Sequence, residues 1–236
     1  MTKYYYKNSR LSPKSYIRIL SLLISLLGII IFLYVSFPLI SYQIYFAPIF
    51  HEQKVEIPIP KSVYAGSGNI GSLLSNAGQS LTVDYTNAGN WYPTLNFEGL
   101  DNLNYLISIP SINVISAKVS SKDTDLTRHM VQFNKDTKPG KVGNTIIFGH
   151  STLPQLFDPN NYKTILANAY KVKVGDGIVV TLDGKELNYK VQSVIVVEPN
   201  DTSVLAQDLS GSFITLITCT PPGTVWKRLI IKAKLI

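Results

Sequence analysis

The chain has 236 residues, of which 22 are basic and 15 acidic, and its formal net charge is +7. This length accommodates one ordinary domain with appendages or two small domains. Five basic residues lie within the first 18 positions with no acid among them, which leaves 17 basic residues against 15 acidic ones in the rest. The excess charge is therefore local to the N-terminus. No basic stripe with interleaved aromatics follows it, which argues against nucleic-acid binding.

An uncharged, apolar run extends from Ile19 to Phe50. Residues 17–37 are long enough to cross the hydrocarbon core of a membrane, which takes roughly 20 apolar residues. We predict a retained transmembrane anchor there, in contact with membrane lipid, preceded by a cytoplasmic basic tail at residues 1–16. The positive-inside rule then places the C-terminal bulk of the chain outside the cell membrane. A cleaved signal peptide is the alternative, but its apolar region spans only about 7–15 residues.

Residues 38–99 are predicted to form an extracytoplasmic spacer. Pro58 and Pro60 give it an extended start, and the Gly- and Ser-rich residues 65–72 give it a flexible composition. Aromatic residues at positions 91 and 92 interrupt this composition. We expect them to pack on the domain that follows, with a lid over that domain as the alternative.

From about residue 100 the chain changes to short apolar runs separated by turn residues. The predicted strands are residues 105–109, 113–117, 144–148, 177–182, 186–197, 212–218 and 227–236. Asp183-Gly184 is a strong hairpin signal between two of them. Residues 126–132 form a loop or short strand, and short helices are expected at 160–170 and 203–207. The pattern predicts an all-β fold over residues 100–236, either a closed or nearly closed barrel or a sandwich.

Cys219 is the only cysteine, and it ends a β-branched strand just before a Pro-Pro-Gly loop. A single cysteine excludes an intramolecular disulfide and a multi-cysteine metal site. A buried cysteine that serves only as a small apolar side chain is common. On the oxidising side of a membrane, however, a lone thiol is a liability unless it is buried or used.

A nucleophilic Cys219 needs an activating partner, because an ordinary thiol has a pKa near 8.5. The chain offers three candidates, His51, His129 and His150. His150 is best placed, since it follows a glycine at the end of a β-branched strand and opens a polar loop. Arg228, nine residues after the thiol, carries a permanent charge and five donors that suit a carbonyl or an oxyanion. Taken alone it also fits an ion pair on the surface of a strand.

The stretch Thr215-Leu-Ile-Thr-Cys219 with Arg228 after it, and Asn144-Thr-Ile-Ile-Phe-Gly-His150 before it, resembles the signature of the sortase family of transpeptidases. Ile107-Ser-Ile-Pro110 and Pro139-Gly-Lys-Val-Gly-Asn144 are similar to that family's opening strand and to its approach to the histidine. The resemblance covers residues 105–236 in order and without a large gap. It implies a closed eight-stranded β-barrel with one or two short helices.

The resemblance also implies an activity. Sortases cleave a sorting signal, often of the Leu-Pro-x-Thr-Gly type, near the C-terminus of an exported protein, and transfer the protein to an amine. By matching position, Cys219 is the nucleophile that forms a thioacyl enzyme, and His150 is the acid and then the base. Arg228 orients the substrate and stabilises the oxyanion, and Thr218 lies beside the thiol and helps to shape the oxyanion hole.

The partners implied are exported proteins that carry a C-terminal sorting signal, together with an amine acceptor. That acceptor is a cell-wall precursor or a pilin lysine. The reaction requires no organic cofactor and no metal. Some sortases bind calcium through acids near the active site, but Asp176, Asp183 and Glu186 lack a recognisable calcium-loop spacing.

The subclass stays open between two kinds of sortase. Thr218-Cys-Thr-Pro221 is similar to the pilin-polymerising class C enzymes, which often carry a lid with an Asp-Pro-aromatic motif. The one Asp-Pro pair here, Asp158-Pro159, comes after the histidine, and the single anchor also fits a housekeeping or class E-like enzyme. A sortase-like domain that binds envelope proteins without turnover is the non-enzymatic alternative. The L,D-transpeptidases fit less well, because no histidine lies close before Cys219.

Overall fold

In the computed structural model, residues 13–45, 83–95, 97 and 103–236 are described. One α-helix, α1, spans Pro13–Tyr45 and contains the predicted anchor within its 33 residues. The window Tyr16–Tyr34 is apolar and long enough to cross a membrane, and none of it is buried against protein. A signal sequence near an N-terminus has the same properties. His51 and most of the predicted spacer lie outside the described residues.

Eight strands form a closed barrel in the order β1-β2-β3-β4-β7-β8-β6-β5. The strands are β1 Asn104–Ile109, β2 Val114–Ser120, β3 Met130–Gln132, β4 Gly143–Phe148, β5 Gly177–Leu182, β6 Lys185–Val197, β7 Ser212–Thr220 and β8 Lys227–Leu235. β2 pairs with β3 and β4 with β7 in parallel, whereas the other neighbours are antiparallel. The predicted all-β barrel is confirmed.

The predicted hairpin joins β5 to β6. Asp183 and Gly184 both have positive φ angles, 51° and 74°, which is the conformation a two-residue type I′ turn requires. The short helical pieces of the described chain beyond α1 are all 3-10 turns. They are Ala88–Trp91, Pro110–Ile112, Pro154–Leu156, Ala169–Lys171 and Thr202–Leu205. Most of the helix expected over residues 160–170 is therefore a series of turns, with a 3-10 turn only at its end.

Apolar side chains form two separate clusters, and β7 contributes alternate residues to each. Ile214 and Leu216 belong to the larger cluster inside the barrel. Ile217 and Cys219 belong to a second cluster on the outer face of the same strands. Since successive side chains of a strand point to opposite faces, this alternation places Cys219 on the outer face of the barrel. The functional site is built there.

Candidate active site

Cys219 and Arg228 lie directly opposite each other on the antiparallel strands β7 and β8. One terminal nitrogen of the guanidinium, Nη1, approaches the thiol Sγ at 3.6 Å. The same nitrogen donates to the carbonyl oxygens of Val225 at 2.9 Å and Lys227 at 3.3 Å. The loop between the two strands therefore holds the charge beside the sulfur. The two residues therefore face each other, and their catalytic roles stay a prediction.

His150 reaches the same edge of the barrel because β4 runs parallel to β7. Phe148, the last residue of β4, is in register with Ile217, and parallel strands end on the same side of a sheet. Three hydrogen bonds fix the turn that follows: the Gly149 N–H donates to the Ile217 carbonyl, the Thr218 hydroxyl to the Gly149 carbonyl at 2.7 Å, and the Ser151 hydroxyl to the Cys219 carbonyl at 2.6 Å. The backbone at His150 is thus fastened to the strand that carries the thiol.

The glycine before His150 leaves space for two buried side chains that a larger residue would have to displace. A Cβ atom at position 149 would lie 2.6 Å from Cδ1 of Leu166 and 3.1 Å from Cε of Met130. Leu166 is itself held in place, since its N–H donates to the carbonyl of His150 at 2.9 Å. The glycine of the Gly-His pair therefore serves the packing of Leu166 and Met130 beneath the turn.

Thr218 lies on the strand face opposite to that of Cys219, as strand alternation dictates. Its buried hydroxyl is used by the Gly149 carbonyl. Thr218 is therefore a positioning residue, because this hydrogen bond holds the turn that carries His150. Ser151 has a comparable part through the Cys219 carbonyl, and it was not among the residues predicted from sequence.

Residues 83–95, which we call the cover segment, pack over this site. Trp91 stacks on Phe148 with ring centroids 5.2 Å apart and meets the His150 ring edge-on at 6.2 Å. The Arg228 guanidinium lies 5.0 Å from the Trp91 ring and 5.5 Å from the Tyr85 ring. We expected the aromatic residues at positions 91 and 92 to pack on the barrel. They pack on it at the residues around the thiol. No sequence motif indicated that position.

Burial controls the protonation of the site. It raises the pKa of the Cys219 thiol, and the charge of Arg228 opposes this shift only in part. It also lowers the pKa of the His150 imidazole, a shift that the charge of Asp84 opposes. Both changes favour the neutral forms of the two groups.

We expect alkylation of Cys219 by iodoacetamide to rise with pH to a midpoint above the ordinary thiol value of about 8.5, because the thiolate is the reacting form. The charge of Arg228 lowers the pKa of the Cys219 thiol. We therefore expect the alkylation midpoint of Arg228→Gln to lie at a higher pH than that of the wild type. The measurement is the alkylation rate by mass spectrometry between pH 6 and pH 11. A wild-type midpoint at or below the ordinary value would contradict the assigned effect of burial.

The other candidates from the sequence lie elsewhere. His129 is buried, its Nδ1 contacts the Met130 carbonyl and its Nε2 lies 3.1 Å from a carboxylate oxygen of Asp123. Among the described residues, no three His, Cys, Asp or Glu side chains form a group able to hold a metal ion. Within the same part of the chain no carboxylate pairs with Arg228, whereas Lys232 pairs with Asp208 at 2.7 Å. Arg228 is therefore not an ordinary ion-paired surface cation.

The family model of the sortase domain matches residues 107–236. The chain belongs to the sortase family. It is 30% identical over 147 residues to Sortase SrtE1 of Streptomyces coelicolor, a match that covers 56% of this chain and 40% of that protein. The cover segment lies outside the residues that the family model matches.

Solved sortase structures resemble the barrel. Sortase C-1 from Actinomyces oris is 23% identical, with a TM-score of 0.50, and the match covers 75% of this chain and 99% of that one. The Sortase D5 transpeptidase of Clostridium perfringens is 27% identical with a TM-score of 0.48, and the match covers 71% of this chain and 97% of that one. The Actinomyces structure supports the fold of the barrel.

Proposed function

We propose that this sortase is a membrane-anchored cysteine transpeptidase. It cleaves a sorting signal of the Leu-Pro-x-Thr-Gly type through a thioacyl intermediate on Cys219, and it transfers the protein to an amine of the cell envelope. The observation that carries the proposal is the register of Cys219 opposite Arg228, with the turn that bears His150 fastened to the same strand end. A buried cysteine with only a structural part needs neither neighbour.

Each side chain has a part in this reaction. The Cys219 thiol gives its proton to His150 as its sulfur attacks the carbonyl carbon of the Thr–Gly bond, and the C–N bond breaks. His150 supplies the proton that the departing amine takes up, and it then removes a proton from the incoming amine, which attacks the thioester and releases the sulfur. Arg228 lies beside the sulfur and stabilises the charge on the carbonyl oxygen. Because the thioester keeps the acyl group reactive, no nucleotide is consumed. That Thr218 also helps to shape the oxyanion hole stays a prediction; the contact seen here is with the Gly149 carbonyl.

A cavity of about 420 Å³ supports a peptide path along β7 and β8. Its lining includes Thr215, Ile230 and Lys232. Thr215 pairs with Lys232 four residues before the pair Cys219 and Arg228, on the same strand face. At about 3.3 Å per residue, Thr215 lies about 13 Å from Cys219 along the strand. An extended peptide bound with its carbonyl at the sulfur covers this distance with four residues, the part of the sorting signal before the scissile bond.

The apolar helix α1 supports the location in this proposal. Residues 17–37 form the membrane anchor, residues 1–16 lie in the cytoplasm, and the barrel of residues 100–236 is extracytoplasmic. The five basic residues before the apolar run favour this orientation by the positive-inside rule. In this arrangement the thiol faces the compartment in which sorting signals and envelope amines occur.

The test is to trap the intermediate. The full-length chain in detergent micelles is incubated with a Leu-Pro-x-Thr-Gly peptide library and then denatured in acid. We expect a mass increase on Cys219 equal to the peptide up to its threonine, removable by hydroxylamine. Adding triglycine or a lysine side-chain amine separates a wall-type acceptor from a pilin lysine by the product formed. If no peptide acylates Cys219 in a sample whose thiol still reacts with iodoacetamide, the proposed function is wrong.

A further inference from the structure

The outer face that carries Cys219 is arranged in layers, one for every second residue of β7 and β8. Strand register fixes three layers, each with one residue from β7, β8 and β6: Cys219, Arg228 and Val197; Ile217, Ile230 and Ile195; Thr215, Lys232 and Ser193. The second layer is entirely apolar, whereas the third is polar. At about 3.3 Å per residue, the third layer lies about 13 Å from the first along the strands.

The cavity of about 420 Å³ lies over the second and third layers. Both layers contribute to its lining, the second through Ile195 and Ile230 and the third through Ser193, Thr215 and Lys232. Among the described residues that line it, Asp208 and Lys232 are the charged ones. The half of the cavity nearer the thiol is therefore apolar, and the farther half contains an ion pair.

The loop between β6 and β7 forms the other side of the cavity, and hydrogen bonds hold this loop in place. Gln207 Oε1 accepts from the Asn144 N–H at 2.9 Å, and Gln207 Nε2 donates to the Asn144 carbonyl at 3.1 Å. The Asn144 side chain donates to the Ala206 carbonyl at 3.1 Å. Lys232 Nζ lies 2.7 Å from Asp208 Oδ2, which joins the loop to β8. The cavity is therefore formed in the absence of a peptide.

The ion pair in the cavity has unused donors but few unused acceptors. Asp208 accepts from Lys232 Nζ at 2.7 Å, and from the Ser210 hydroxyl and N–H at 2.6 Å and 3.1 Å. These hydrogen bonds lower the pKa of Asp208 to about 2, so the carboxylate is charged at neutral pH. An ammonium has three donors, and that of Lys232 makes one hydrogen bond within the described chain. Since the Lys232 side chain is 31% exposed, its other donors are accessible to a peptide.

We propose that Lys232 determines specificity for the residue that precedes the sorting signal, by binding an acidic side chain there. This inference rests on the proposed function, which places the carbonyl of the signal's threonine at Cys219. In an extended peptide along β7 and β8, the residue before the leucine lies four positions from that threonine, at the layer of Lys232. The leucine and proline then lie beside the apolar second layer. A carboxylate at the preceding position accepts from Lys232, whereas an ammonium there meets a like charge.

The test compares N-acetylated peptides that differ only in the residue before Leu-Pro-x-Thr-Gly, which is glutamate, glutamine, alanine or lysine. The full-length chain in detergent micelles is mixed with each peptide, and the rate of acylation of Cys219 is measured by mass spectrometry. We expect the glutamate peptide to react roughly 3- to 10-fold faster than the glutamine peptide, and the lysine peptide to react most slowly. Added salt reduces these differences, because it screens the charges.

Variants of the ion pair distinguish specificity from a structural effect. Lys232→Met leaves Asp208 without its cation, so we expect the preference to reverse in favour of the lysine peptide. Asp208→Asn removes the negative charge beside Lys232, and the preference for glutamate increases. Lys234→Met is the matched control, because Lys234 is on the same strand and face but packs over Phe213 at 5.5 Å outside the cavity lining. It retains the wild-type preference, and thermal unfolding shows whether each barrel is intact.

The possible failures are distinguishable. Equal acylation rates for the four peptides would overturn the role of Lys232 but retain the proposed function, because Cys219 is still acylated. A preference for glutamate that persists in Lys232→Met would also overturn this role. If no peptide acylates a Cys219 that still reacts with iodoacetamide, the proposed function is wrong, and the specificity assigned to Lys232 is wrong with it.

Discussion

Replacement of Cys219 by alanine removes cleavage and transfer of a sorting-signal peptide, with a loss on the order of 10⁴-fold or more. Two hydroxyls near the thiol are already engaged: that of Ser151 donates to the Cys219 carbonyl, and that of Thr218 donates to the Gly149 carbonyl. Cleavage of the peptide is followed by mass spectrometry at a fixed enzyme concentration. Because this change removes only one sulfur atom from the outer apolar cluster, we expect the barrel of this variant to unfold close to the wild-type temperature.

Cys219→Ser is the informative companion. It keeps the size and the hydrogen-bonding capacity of the side chain but replaces a thiol by a hydroxyl that is far harder to ionise. We expect it to bind peptide and to turn over at the level of Cys219→Ala. Wild-type cleavage by either variant would exclude the thioacyl mechanism. Cleavage without transfer in the wild type would instead identify water as the acceptor and retain the nucleophile.

The barrel was predictable from sequence because its signals are local. β5 and β6 are strand-like runs around a two-residue turn, and the strand that carries Cys219 is a continuous run rich in Ile and Thr that is buried on both faces. β3, with only three residues, has too few positions to show any alternation, so residues 126–132 were assigned only as loop or short strand. The turns at 160–170 carry residues of helical composition but are shaped by the packing of Leu166 under Gly149.

The residues of the site also differ in how far the sequence predicted them. Cys219, His150 and Arg228 were predicted because they stand at strand ends and match a family signature, and the register of β7 with β4 and β8 places all three at one end of these strands. Trp91 was noticed only as an aromatic residue in a spacer. Its contact with His150, 59 positions away in the chain, depends on tertiary packing of an irregular segment that has no period and no motif. Thr218 was placed near the thiol correctly in sequence, yet strand alternation turns its hydroxyl to Gly149.

Replacement of Arg228 by alanine lowers transfer by roughly 100- to 1000-fold, the usual effect of removing one donor to an oxyanion. The guanidinium is buried, has no carboxylate partner among the described residues and is held by the carbonyls of Val225 and Lys227. Burying a charge without an opposite charge beside it is unfavourable. A catalytic role for Arg228 explains why the buried guanidinium is present. The measurement is kcat and KM for peptide transfer, and we expect most of the loss in kcat.

Arg228→Lys separates charge from geometry. Lysine keeps the positive charge but presents a compact ammonium on a flexible stem instead of a rigid guanidinium plane, so its donors are not held in the fixed orientation that Nη1 has beside the sulfur. We expect a rate between those of the wild type and Arg228→Ala. Lys234→Ala, on the same strand and face but packed over Phe213, serves as the matched control and retains wild-type activity. Near-normal turnover by Arg228→Ala would contradict a catalytic role. Arg228 would then be a structural cation packed against the rings of Tyr85 and Trp91.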